Sequence, residues 1–209
     1  MRANCTMAGM RRGPIIVGVV FALAGCAFGT DYIRLPTVSN IQAPEHGLKI
    51  AVQVRDGRAD MSGTQIGFKR SYGAKAGSVE LEGGETLADR LAKELVALFR
   101  TRGYRASEGR PLPGDTDLDA LFEVSSFAVD TQMGFFMGDV LGFAVVRGRV
   151  VDVGAKRVLW EDIARAEYRK PQIVAYGVTE DANKDAVRSL YQALIVKLRG
   201  IVPPKFATQ

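Results

Sequence analysis

The sequence predicts an α+β domain, a largely antiparallel sheet with two helices packed on one face. Three observations predict it. Residues 143–168 alternate in character on both sides of a Gly154-Ala155-Lys156-Arg157 turn, the period-two pattern of a half-buried hairpin. Residues 86–103 repeat their leucines every three to four positions and carry helix caps at both ends. Residues 179–200 do the same and run into Pro203-Pro204, which forbid continuation. The composition agrees: 209 residues, 24% charged and 47% hydrophobic, suit one domain with a real core and exclude disordered, collagen-like and coiled-coil classes.

The N-terminus reads as an address. Arg11 and Arg12 precede an apolar run at 15–24, followed by small residues. Positive, apolar, then small is the order of a secretory signal. The run is far shorter than the roughly 20 residues that span a bilayer. Leu23-Ala24-Gly25-Cys26 resembles the bacterial lipobox, in which the cysteine thiol is diacylated and the peptide bond before it, here Gly25–Cys26, is cut. Residues 1–25 are therefore expected to be a lipoprotein signal peptide and Cys26 the lipidated residue. Their loss removes Arg2, Arg11 and Arg12 and no acid, so the net charge falls from +5 to +2. That is no footprint for nucleic acid, which needs a concentrated basic face. Cys5 leaves with the signal and lipid blocks Cys26, so no disulfide is available and packing must carry the stability. Ala27 follows the cysteine where enteric-type sorting uses Asp to retain a lipoprotein at the inner membrane, which favours the outer membrane.

Residues 26–47 hold Pro36, Ser39, Asn40, Pro44 and Gly47 without a sustained period and read as a flexible tether. About 20 such residues reach roughly 65 Å when extended. The domain proper is expected over 48–209. It opens with a half-buried strand at 48–54, and the glycine-rich stretch 55–77 leaves room for a short strand at 65–71. Another short strand is possible at 78–81. Thr86 and Asp89 then form a capping box for the first helix, whose Leu87, Leu91, Leu95 and Leu98 share a face, and Gly103 ends it. Residues 104–107 begin a strand and 110–117 form a loop. From Leu118 the phase set by Phe122 and Val124 shifts to Phe127 and Val129, so Ser125-Ser126 marks a bulge. The hairpin on 143–168 follows. Thr179 is the expected cap of the last helix, and Val187, Leu190, Tyr191, Leu194 and Leu198 form its apolar face.

Catalytic chemistry is hard to assemble from these residues. The lone His46 lies in the expected tether, and the mature chain lacks a thiol nucleophile. Gly83-Gly84 lacks the Lys-Ser/Thr of a phosphate loop, and Asp115, Asp117 and Asp119 lack the glycine and distal Glu of a calcium loop. The expectation is no enzyme, no cofactor and no metal. Two features suit binding instead. Arg55, Arg58, Lys69 and Arg70, beside Phe68 and Tyr72, form a cationic loop able to hold anionic headgroups or sugars. Met133, Phe135, Phe136, Met137 and Leu141, in the apolar segment 133–143 that is expected to separate two strands and has glycines every four residues, form a candidate partner contact.

The lipobox, Val54-Arg55-Asp56-Gly57-Arg58, the following Ile66-Gly67 and the helix ending in Gly103-Tyr104 together resemble the YajG-like family of bacterial lipoproteins. The resemblance implies a lipid-anchored domain with an antiparallel sheet and a C-terminal helix. By fold-level analogy it also implies an accessory part of a cell-envelope assembly or transport machine. The expected protein is thus an outer-membrane lipoprotein facing the periplasm, non-catalytic, with an envelope protein as partner and its oligomeric state open. The rival expectation is a lipid-, lipopolysaccharide- or peptidoglycan-binding lipoprotein that uses the cationic loop.

Overall fold

The computed structural model describes residues 29–206 except 60, 62, 72, 113, 134–136 and 174–179. Along the chain run β1 (Gly29–Ile33), β2 (Lys49–Asp56), β3 (Gln65–Ser71), β4 (Ala74–Leu81), α1 (Leu87–Thr101) and β5 (Arg105–Glu108). Then follow β6 (Leu118–Met133), β7 (Met137–Asp152), β8 (Arg157–Ile173) and α2 (Glu180–Ile201). The fold is α+β, with two helices on one face of an eight-stranded sheet.

The sheet is organised by β6. One of its edges pairs antiparallel with β7, which pairs antiparallel with β8. The other edge is shared end to end by two shorter strands, both parallel to it: β2 along 118–124 and β3 along 129–133. Beyond β2 lies β5, and beyond β3 lie β4 and then β1. The sheet therefore forks, and the register shift between Val124 and Ser126 lies at the fork. Most rungs are antiparallel, yet β1–β4, β2–β5, β2–β6 and β3–β6 are parallel.

The bulge keeps one face apolar along all of β6: Leu118, Phe122, Val124, Phe127 and Val129 are all fully buried. Beside the 118–124 half of this face, over β2 and β5, lies α1. Its capping box is formed: the Asp89 amide donates to Thr86 Oγ1 at 3.1 Å, and the Thr86 amide donates to the Asp89 carboxylate at 3.2 Å. Leu87, Leu91, Leu95 and Phe99 are buried on the side that meets β2 and β5. Phe99 packs edge-on against Tyr104, 5.8 Å between ring centroids, and tilted against Phe122. Against β7 and β8, α2 buries Val187, Leu190, Tyr191, Leu194 and Leu198. Its expected cap, Thr179, lies outside the described residues.

Two expectations are corrected. The stretch 26–47 is not all tether: β1 begins at Gly29 and pairs with β4, and Ile33 and Leu35 are buried. Further on, the Ile41 carbonyl accepts from Arg100 Nη1 at 2.8 Å, tying this stretch to α1. The reason is that β4 offers an unpaired edge, and Ile33 and Leu35 supply apolar area to the core. The segment 133–143 is likewise no separate connection, because β7 begins at Met137. Its glycine spacing has a sheet explanation. Gly138, Val140, Gly142 and Ala144 alternate toward the helices, and a Cβ on Gly142 would lie 3.2 Å from Leu190 Cδ2 of α2.

Where β3 meets β6, Gly67 comes so near that a Cβ there would sit 2.1 Å from the Val129 carbonyl oxygen. Backbone cannot yield as a side-chain tip can. Gly67→Ala is expected to cost about 2 kcal/mol or more, in line with overpacked cores, measured by urea unfolding. Gly154→Ala, whose Cβ would meet only Asp152 Oδ1 at 3.5 Å, should stay near wild type.

Candidate functional site

The four residues of the expected cationic loop do not act together. Arg58 is buried at the fork of the sheet. Its Nε and Nη2 donate to the two oxygens of Asp56 at 2.8 and 2.7 Å, a bidentate pair. Its Nη1 donates to the carbonyls of Gln65 at 2.7 Å and Phe127 at 3.3 Å. Beside it the Gly57 amide donates to the Val124 carbonyl at 3.0 Å. Burial pushes the Asp56 carboxyl up, but the Arg58 hydrogen bonds and charge outweigh that and hold its pKa below the ordinary value. Arg70 pairs with Asp130 at 2.7 Å and its guanidinium lies 5.9 Å from the Phe68 ring, which Lys75 also covers at 3.9 Å. Arg55 is exposed.

Lys69 is the centre of a second buried set. Its Nζ donates to Asp31 Oδ1 at 2.8 Å, and the other Asp31 oxygen accepts from Asn183 Nδ2 at 2.8 Å. Thr131 Oγ1 donates to the Asn183 side-chain oxygen. Thr131 and Asn183 are fully buried and Lys69 nearly so. Four elements, β1, β3, β6 and α2, are joined by this chain of polar contacts. With Arg58, Lys69 and Arg70 each holding a carboxylate, the loop is not an open anion cradle. Sequence reasoning missed both partners, Asp31 and Asn183, because they lie 38 and 152 positions apart from the residues they meet.

Of the candidate partner contact, Phe135 and Phe136 lie outside the described residues. Met133 ends β6 and Met137 begins β7, and Leu141 lies half-buried on β7 opposite Asp130 and Arg169. Leu141 has neighbours that the sequence alone did not group with it. Leu141, Phe143 and Val145 form one row on the sheet face away from the helices, and Phe143 is 42% exposed. Across from them on β8 stand Arg169, Glu167 and Arg165. Farther along, Glu123, Arg147 and Arg149 share this face, with Arg149 opposite Glu161. The arrangement is an apolar strip with a two-signed charged border, on a face that nothing in the chain covers among the described residues.

The remaining expected chemistry resolves into structural contacts. Asp117 accepts from the Lys49 amide at 2.7 Å, Asp119 accepts from Gln53 Nε2 at 2.8 Å, and Asp115 pairs with Lys49 Nζ. His46 is exposed in the segment before β2. Among the described residues no cluster of His, Cys, Asp and Glu is placed to hold a metal ion. Shallow grooves of about 330 and 320 Å³ flank the segment 37–41 where it crosses α1. Under α1, burial pushes the Tyr191 phenol far above its ordinary value, Glu94 adds to the shift and Arg90 opposes it. Cys26 and Gly25 lie outside the described residues.

No protein-family model matches the chain, and no curated protein sequence matches it. The likeness to the YajG-like family thus rests on its few letters. Among solved structures, the chain is similar to a Xanthomonas campestris protein of the DUF330 family at 12% identity, covering 82% of this chain and 95% of that one, with a TM-score of 0.46. It is similar to a protein assigned as a neuraminyllactose-binding hemagglutinin homolog from Helicobacter pylori at 8% identity, 80% and 91% coverage, TM-score 0.46. The Neisseria meningitidis lipoprotein GNA1162 overlaps at 13% identity, 74% and 99% coverage, TM-score 0.40.

Removing one partner of a buried ion pair strands the other. Arg58→Met is expected to lower stability by about 3 kcal/mol, read from urea unfolding, whereas Arg55→Met should stay within about 0.5 kcal/mol of wild type. The pair also sets an acid limb. Because the folded pKa of Asp56 lies below its unfolded value, the contribution is complete above the unfolded carboxylate range and is lost as pH falls through the folded pKa. Asp56→Asn should flatten that limb of the stability–pH profile, and an unchanged profile would refute the assignment.

Proposed function

We propose that this chain is a bacterial lipoprotein with a non-catalytic binding or scaffolding domain. Residues 1–25 act as its signal peptide and Cys26 carries its lipid. The domain faces the periplasm from the outer membrane and serves as an accessory part of an envelope assembly or transport machine, with an envelope protein as its partner. The anchoring half of the reading is supported by the Leu23-Ala24-Gly25-Cys26 sequence behind a short apolar run and two arginines. Among the described residues no helix is long and apolar enough to cross a membrane.

The single observation that carries the binding half is the row Leu141, Phe143 and Val145 on the uncovered sheet face. An apolar centre with a charged border is the anatomy of a protein–protein contact, where the centre supplies apolar burial and the border supplies specificity. A ligand reading through the cationic loop is less well supported, because Arg58, Lys69 and Arg70 already hold Asp56, Asp31 and Asp130. Those same pairings leave three carboxylates unavailable as acids or bases, which favours a non-catalytic reading.

Crosslinking and affinity purification of the tagged full-length chain from intact cells tests this, with Cys26→Ala and Phe143→Glu run alongside. Cys26→Ala should lose incorporated radiolabelled palmitate and leave the membrane fraction. Phe143→Glu should keep its circular dichroism spectrum and lose a recurrent envelope-protein partner. A Phe143→Glu chain that retains every wild-type partner would refute the contact, and palmitate retained in Cys26→Ala would refute the anchor.

A further inference from the structure

The order of strands puts one end of the sheet next to the lipidated residue. β1 starts at Gly29, paired with Gly77 near the start of β4. The β3–β4 turn, between Ser71 and Ala74, lies at the same end, because Ser71 pairs with Met133 at the end of β6. Met137 at the start of β7 and Ile173 at the end of β8 are paired there too. The opposite end holds the β7–β8 turn around Ala155 and the starts of β2, β5 and β6. β6 is 16 residues long, so the two ends lie about 50 Å apart along it.

Only Ala27 and Phe28 separate Cys26 from Gly29, a span of at most about 11 Å from one Cα to the other. β1 supplies no slack. Asp31 is held by Lys69 and Asn183, and Ile33 and Leu35 are in the core. β1 also lies so close to β4 that a Cβ on Gly77 would sit 2.2 Å from the Gly29 carbonyl oxygen.

We infer that this end of the sheet is seated on the lipid surface that holds Cys26, so that the domain stands upright on the membrane instead of trailing on a tether. The inference rests on the lipidation reading and adds an orientation to it. The thioether-linked glycerol lies at the boundary of headgroups and acyl chains, and a link of two residues leaves the Gly29 end within the headgroup layer. The rim of the sheet there carries Arg70, Lys75, Arg169 and Lys170, of which Arg70 and Arg169 are paired with Asp130 and Asp139. The start of α2 carries Asp181 and Asp185 beside Lys184. The contact with anionic headgroups is therefore made by the sheet rim and not by the helix. The row Leu141, Phe143 and Val145 then begins just above the lipid, on a face perpendicular to it.

With Cys5 removed and Cys26 acylated, an introduced cysteine is the one free thiol. Lipidated Ala74→Cys and Ala155→Cys chains, the first at the exposed start of β4 and the second in the exposed β7–β8 turn, would be labelled with a fluorophore. They would be reconstituted in vesicles of phosphatidylethanolamine and phosphatidylglycerol containing a headgroup-nitroxide lipid. Mass spectrometry of the N-terminal peptide reports acylation in the same samples. The expected result is quenching several-fold stronger at Ala74→Cys than at Ala155→Cys, falling toward the latter when a long Gly-Ser linker is inserted between Phe28 and Gly29. Acylated chains quenched equally at both ends, or unchanged by the linker, would overturn the seating and leave the anchor standing. Absence of acyl mass on Cys26 would overturn both.

Discussion

A strand edge offers its backbone groups once, and β6 shares one edge between two neighbours. Its pairing with β2 ends at Val124 and its pairing with β3 starts at Val129. The backbone groups between them, at the bulge, have no strand partner on that side. Arg58 answers this constraint. Guanidinium carries five donors in a planar fork and no acceptor, and here it reaches Phe127 on β6 and Gln65 on β3 while Asp56 at the end of β2 neutralises it. One side chain thus ties together the three strands that meet at the fork. A lysine has neither the planarity nor the second donor direction to do the same. The desolvation of a buried charge is offset only while Asp56 stays ionised and in place, so the fold at this point depends on the pair and not on either residue.

The same logic operates where β1 joins the sheet, with different residues. β1 is a five-residue parallel edge strand, a kind of pairing that contributes little by itself. A slip of one position would turn Asp31 away from Lys69 and Ile33 out of the core. Apolar packing alone tolerates such a slip poorly, but directional contacts forbid it more strictly. The Asp31–Lys69 pair and the Asp31–Asn183 hydrogen bond each require one register of β1.

The sequence displayed what is local and concealed what is distant. Both helices, the capping box at Thr86, the bulge at Ser125-Ser126 and the β7–β8 turn were legible, because each depends on spacing within a few residues. Parallel pairing of β2 and β3 with β6 was not, since alternation in a strand looks the same whichever way its neighbour runs. β1 was hidden for a related reason. Gly29-Thr30-Asp31-Tyr32-Ile33 has weak strand character by itself, and its partner β4 lies more than forty positions away. The cations misled most. A linear sequence shows that Arg58, Lys69 and Arg70 are close to each other, but not that Asp56, Asp31 and Asp130 hold them.

The letters that carried the family resemblance now have physical causes. Asp56 and Arg58 close the fork, and Gly67 admits the Val129 carbonyl. Gly103, at φ 87°, lets the chain leave α1, and the Tyr104 hydroxyl then accepts from the Phe206 amide at 2.8 Å. Each of these residues secures the fold, and none presents a reactive group to solvent. A likeness built on such letters speaks to architecture and is silent on partners. Specificity must then come from surface positions that the letters leave unconstrained. Among the described residues, the face of β6–β8 turned away from the helices is one such set, with the row Leu141, Phe143 and Val145 between charged neighbours.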